Sequence, residues 1–143
     1  MWTEKLRKDP LASLLSTDDK VLLFHIEKDL ILGLENKIES LWDNPEVKKY
    51  LSHQQSDGSW RYHGNRWGDE LGETYELLET WKILRILVEL YGMHRSHPAI
   101  NQACEYIFSF QTDEENIRGI LSNQYMPYYM GAILEILIKA GFE

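Results

Sequence analysis

Cysteine is almost missing: Cys104 stands alone among 143 residues. One thiol excludes an internal disulfide and any multi-cysteine metal cage within one chain. Long apolar runs are missing as well. No stretch is long enough to span a bilayer and no signal peptide opens the chain, so a soluble, cytoplasmic protein is expected. Positive charge is scarce, with 15 Lys and Arg against 23 Asp and Glu and a net charge of −8. A pI of about 5.1 disfavours an electrostatic grip on nucleic acid or on an anionic membrane. Proline is sparse too, and Pro10, Pro45 and Pro98 each stand where a helix opens.

What is present is a globular composition, 43% hydrophobic and 27% charged. A chain of this length makes one domain with its own core. Its apolar residues recur at helical spacing. Pro10, Leu11, Leu14 and Leu15 make a short turn, and Ser16-Thr17-Asp18-Asp19 is a cap for a helix through Val21, Phe24 and Leu30. Gly33-Leu34-Glu35-Asn36 is the expected stop, and Ile38, Leu41 and Trp42 follow as a short amphipathic segment. Asn44-Pro45 caps the next helix, whose Val47, Tyr50, Leu51 and Gln54 share one face. The longest pattern runs from Glu73 to Tyr91, with Gly92 as its stop. It has two apolar stripes, so it should lie between neighbours as an inner helix.

The stretch Gln55-Ser56-Asp57-Gly58-Ser59-Trp60 joins these two helices. Asp57-Gly58 is a strong turn signal, and a Trp seeks a partner for its N–H when buried. Gln55, the turn and Trp60 should therefore clasp one helix end to its neighbour. A weaker copy follows. His97-Pro98 parallels Asn44-Pro45, and Tyr106-Ile107 through Gln111 parallels Tyr50-Leu51 through Gln55 at an offset of 56. Leu134 to Lys139 parallels Leu84 to Glu89 at an offset of 50. Two units of outer helix, turn and inner helix are the expectation.

Gln55 to Trp60 resembles the Q-x-D-G-S-W core of the QW repeat, found in the α/α-toroid superfamily of terpene cyclases and protein prenyltransferase β-subunits. The opening Asp9-Pro10-Leu11, Leu14-Leu15 and Asp18-Asp19 is similar to the start of uncharacterised microbial proteins with squalene-cyclase-like repeats. The resemblance implies an all-α fold of toroid-like helical hairpins, with units at about 9–43, 44–92 and 97–142. A closed ring has about twice the helices that fit here, so 1–143 would be a partial ring.

The family's chemistry does not carry over with usable spacing. Cyclases that protonate their substrate use D-x-D-D; Thr17-Asp18-Asp19-Lys20 lacks the first Asp and reads as capping. The zinc set of prenyltransferases needs an Asp two residues before its Cys, and Gln102 precedes Cys104. Cys104 therefore reads as a small core residue, and no catalytic residue, metal ligand or cofactor is assigned. His94 and His97 read as a turn rather than a metal pair. His53 and His63 flank the clasp without a third ligand. Asp69, Glu70 and Glu73 could serve as acid or base, but a solvated helix start explains them equally well.

The aromatic set Trp60, Tyr62, Trp67, Tyr75 and Trp81 is the candidate ligand-binding group. Aromatic faces suit apolar chains and carbohydrate rings alike, although packing between helices is the heavier reading. Three functions stay open. The first is a non-catalytic or substrate-binding portion of a terpene-cyclase- or prenyltransferase-like toroid. The second is an enzyme on an isoprenoid or polysaccharide whose acids lie outside this chain. The third is a helical-repeat interaction module. The apolar segment from Tyr128 to Ala140 further implies self-association, most simply as a homodimer.

Overall fold

A computed structural model describes residues 5–31, 38–64, 74–120 and 124–142. The described residues are helices and turns, with two isolated β-bridges and no longer strand pairing among them. The fold is all-α. The chain divides into two compact units, Met1–Leu41 and Trp42–Glu143.

In the first unit Asp9 accepts from the Leu11 N–H (2.9 Å) and starts the single turn α1, Leu11–Leu14. Helix α2, Lys20–Ile26, is capped by Asp19, whose carboxylate accepts from the Val21 and Leu22 N–H groups at 2.9 and 3.2 Å. Of the Ser16-Thr17-Asp18-Asp19 stretch expected to cap this helix, Asp19 alone is the cap, and no acid follows it in the first turn. The helix widens into a π turn, Glu27–Ile31, and buries Val21, Phe24 and Ile26. The expected stop at Gly33 lies outside the described residues. A 3-10 segment, Ile38–Asp43, leads into the second unit.

There α3 is Pro45–Ser52, with Asn44 accepting from the Glu46 N–H (2.9 Å) and Pro45 in the first turn. Helix α4, Tyr75–Arg85, continues as a π turn, Ile86–Leu90. Helices α5, Pro98–Phe108, and α6, Pro127–Lys139, complete the unit. Helix α4 packs against both α5 and α6, so it is the central element. Leu77, Leu84, Leu87, Ile100, Ala103, Cys104 and Ile107 are all but sealed from solvent around it. Its two apolar stripes are explained by those two neighbours.

Both hairpins close on a glycine. Gly92 and Gly141 have φ of +58° and +95°, values that suit glycine at a helix end. The Met93 N–H donates to the Leu87 carbonyl, and the Phe142 N–H to the Leu137 carbonyl. Leu87 and Leu137 correspond at the offset of 50, yet Gly92 lies five residues on and Gly141 four. The π turn absorbs the extra residue by widening the helix there.

His97 opens α5 as Asn44 opens α3, by accepting a backbone N–H, here from Ala99 (3.2 Å) onto Nδ1. The rings of His94 and His97 both meet the Trp42 indole edge-on, at 5.3 and 5.8 Å. Trp42 in turn donates to the Tyr91 carbonyl (3.0 Å). The two histidines are thus packed against one aromatic ring.

Candidate functional site

The clasp differs from its expected form in one respect. Helix α3 stops at Ser52, so Gln54 and Gln55 both lie beyond it. The amide that reaches the neighbouring helix is that of Gln54, whose Nε2 donates to the Gly58 carbonyl (3.0 Å) and the Ala99 carbonyl (2.8 Å). Gln55 works inside the turn: its N–H donates to the Ser59 carbonyl (2.9 Å) and its amide to Ser59 Oγ (2.9 Å). Asp57 accepts from the Ser59 N–H and hydroxyl, at 3.0 and 2.7 Å, and those bonds hold its carboxyl below the usual range.

Trp60 completes the clasp. It is 1% exposed, its N–H donates to Thr80 Oγ1 (3.0 Å), and its indole donates to the Tyr50 carbonyl (2.8 Å). One residue thus ties the end of α3 to the middle of α4. Gly58 has φ +88°, and a Cβ there would stand 2.2 Å from the Gln102 carbonyl oxygen of α5. Only glycine fits a backbone that passes so close.

Beside the clasp is a cleft of about 580 Å³. Tyr50, Trp60 and Ile83 give it apolar wall, and Lys49, His53 and Arg61 give it a basic rim. His63 and Glu79 also line it. His53 Nδ1 bonds the Lys49 carbonyl (2.7 Å), which places the proton on that nitrogen and leaves Nε2 as the unprotonated one when the ring is neutral. Burial, then Glu46 and Glu79, raise the Tyr50 phenol, so at neutral pH its hydroxyl keeps its proton and can donate. Such a cleft can hold an apolar body against its wall and an anionic group at its rim. Of the titratable groups here, sequence reasoning weighed only His53 and His63, beside Trp60 as a candidate ligand-binding ring. Lys49 and Tyr50 share the end of α3, and Glu79 and Ile83 are four apart on α4. That spacing was readable; that the two faces meet beside Trp60 was not.

The described aromatic candidates have the following surroundings. Trp60 lines this cleft, while Trp81 lines a groove between α4 and α6. Tyr62 stacks on the buried Tyr75, with ring centroids 5.0 Å apart, and Lys82 lies 5.9 Å from the Tyr62 ring. Trp67 lies outside the described residues, as do Asp69, Glu70 and Glu73. Cys104 is fully buried in α5, and burial followed by Glu105 pushes its thiol up to about 12. A thiol so placed is inert. Among the described residues no three His, Cys, Asp or Glu side chains come together as a metal site, and no helix is long and apolar enough to cross a membrane.

No family model matches the chain, and no curated protein or solved structure matches it.

Proposed function

We propose that the chain is a non-catalytic, substrate-binding portion of a toroid-like protein of the terpene-cyclase and prenyltransferase kind, its helical hairpins forming part of a ring. The reading is carried by the recurrence of the clasp turn. Gln54 and Trp60 bridge one turn, and Gln111 and Ile117, 57 residues on, bridge another. Each turn lies between a helix opened by an Asn- or His-capped proline and a helix closed by a left-handed glycine. The cleft beside the first turn is the binding place, and its apolar wall and basic rim suit an isoprenoid chain ending in a diphosphate.

A titration followed by calorimetry tests this, with a prenyl diphosphate and the matching prenyl alcohol as probes. The diphosphate is expected to bind at least about tenfold more tightly than the alcohol, since charge-assisted bonds are the strong ones. Changing Lys49 and Arg61 to Ala together should remove that difference. Equal affinity for both probes, or no binding of either, overturns the reading. Turnover of the diphosphate that is lost on changing Asp18 or Asp19 would make the chain an enzyme instead.

A second reading, a self-associating interaction module, draws on the exposed Leu134 and Ile138 of α6, at 43% and 67%. Light scattering coupled to size exclusion separates the two, because a strictly monomeric mass removes the homodimer.

A further inference from the structure

Two rings of the clasp cleft have no part in holding an anion while they are neutral. They are His53, just past the end of α3, and His63, beyond the clasp turn. Both are exposed at the rim, as Lys49 and Arg61 are.

The first observation is a shortfall of charge. Among the described lining residues Lys49 and Arg61 are the fixed cations, and Glu79 of α4 is a carboxylate set against them. Lys82 lies 3.7 Å from Glu79, a pair open in part to solvent. Glu46, farther back on α3, accepts from the Tyr91 hydroxyl (2.7 Å). Tyr50 keeps its proton at neutral pH and adds no charge. The rim thus holds little net positive charge, whereas a diphosphate carries several negative ones. Two further cations would close that gap. Histidine is the side chain whose charge ordinarily changes between about pH 5 and 8.

The second observation is where the proton goes. His53 Nδ1 donates to the Lys49 carbonyl (2.7 Å), so a second proton arrives on Nε2 and breaks no bond. The charged ring would also stand at the C-terminal end of α3, where the helix dipole favours a cation. His97 is the opposite case. Its Nδ1 accepts from the Ala99 N–H, and protonation would cost that cap. Folding opposes a charge on one histidine and leaves the other open to it.

On the reading of this cleft as the place for a ligand's anionic end, we propose that His53 and His63 bind that end in their protonated forms. Binding then takes up protons and tightens as pH falls. Glu79 favours a further positive charge at the rim and the two fixed cations oppose it, so the ligand's own charge decides. The coupling is reciprocal: the anion drives protonation, and protonation raises affinity for the anion.

The test needs a probe whose own charge stays constant over this range. Methanedisulfonate has the shape of a diphosphate and does not titrate there. Calorimetric titration of the full chain should give at least about tenfold tighter binding at about pH 5.5 than at about pH 7.5. Midway, the heat should vary with the ionisation enthalpy of the buffer, as net proton uptake requires. Nitrogen-15 spectra at that pH should show the rings of His53 and His63 moving toward the protonated position as the probe is added. Those of His94 and His97 should stay in place. His53→Gln with His63→Gln, both at exposed positions, should abolish the gain on acidification. That variant still loses overall negative charge as pH falls, so a gain that survives in it belongs to the whole surface and overturns the proposal. Equal affinity at both pH values, or no binding of the probe at either, overturns it too. The isoprenoid reading fails separately, on a prenyl diphosphate that binds no better than its alcohol.

Discussion

The turn at Gln54–Trp60 and the turn at Gln111–Ile117 follow the same backbone path with different side chains. In the first, the Gln55 N–H donates to the Ser59 carbonyl and the Gly58 N–H to the Gln55 carbonyl. In the second, Thr112 and Asn116 repeat the first bond at 2.8 Å, and Glu115 and Thr112 the second at 2.9 Å. Even the side-chain bond recurs, since the Thr112 hydroxyl donates to Asn116 Oδ1 as the Gln55 amide donates to Ser59 Oγ. Glu115 adopts φ +61°, in the place where Gly58 has +88°. Yet Gly58 and Ser59 are buried, while their counterparts Glu115 and Asn116 are exposed and half-buried; only at the last position, Trp60 and Ile117, are both turns buried. The backbone shape is thus a local matter of short side chains bonding their own turn. Glycine is required only where another helix lies against that turn, as α5 does at Gly58.

The comparison is broken most sharply at its last position. Trp60→Ala should cost about 3–5 kcal/mol, more than Ile117→Ala in the second turn, because it removes a larger ring and the indole bond to the Tyr50 carbonyl. Denaturant unfolding of both variants checks the order. A Trp60→Ala protein that unfolds with the wild type would remove the clasp from the account of stability.

The position of Gly58 and Glu115 should separate the turns next. Gly58→Ala places a Cβ against the α5 backbone in a left-handed conformation and should cost at least about 2 kcal/mol. Glu115→Ala keeps a non-glycine residue in open solvent and should stay within about 0.5 kcal/mol of wild type. Equal effects would mean that α5 does not seal the first turn.

The smallest effect concerns the cap of α5, the helix that does the sealing. Burial first, and His94 second, lower the pKa of His97 from 6.5. Its cap bond needs an unprotonated Nδ1, so the stabilisation is fully present above the ordinary histidine value. It is lost as pH falls through the lower folded value. About 1 kcal/mol should disappear on acidification, the usual worth of an N-cap. His97→Asn, which caps as Asn44 does without titrating, should flatten that part of the pH profile. A profile unchanged by the substitution would place the titration elsewhere.

Helix starts were the most legible part of this chain. Asp18-Asp19, Asn44-Pro45 and His97-Pro98 act through neighbours two or three residues away, so the sequence carries all of the physics. The clasp was legible as a place but not in its detail. Helix α3 ends two residues sooner than its apolar spacing suggests, which moves the reach across to α5 from Gln55 to Gln54. For the same reason the turns register at 57 and not 56, with Gln111 opposite Gln54. The π turn left no mark in the apolar pattern, because one extra residue in a helix buried on two sides changes no hydrophobic position. The groove at Trp81 was illegible for another reason. It depends on Arg85 and Glu89 facing Tyr128 and Glu135 across 50 or so residues of chain.

The single thiol has a use that its chemistry alone would not suggest. Cys104 lies at the middle of α5 with no exposed surface, close to the Gln102 carbonyl that limits Gly58. A thiol reagent can reach it only when the core around α5 opens, so labelling reports on that opening. With reclosing fast relative to labelling, the rate gives the fraction of molecules open. The same chain under the Gly58→Ala substitution would label faster in proportion to the seal it has lost. One atom of sulfur thereby counts the excursions of the second unit's core.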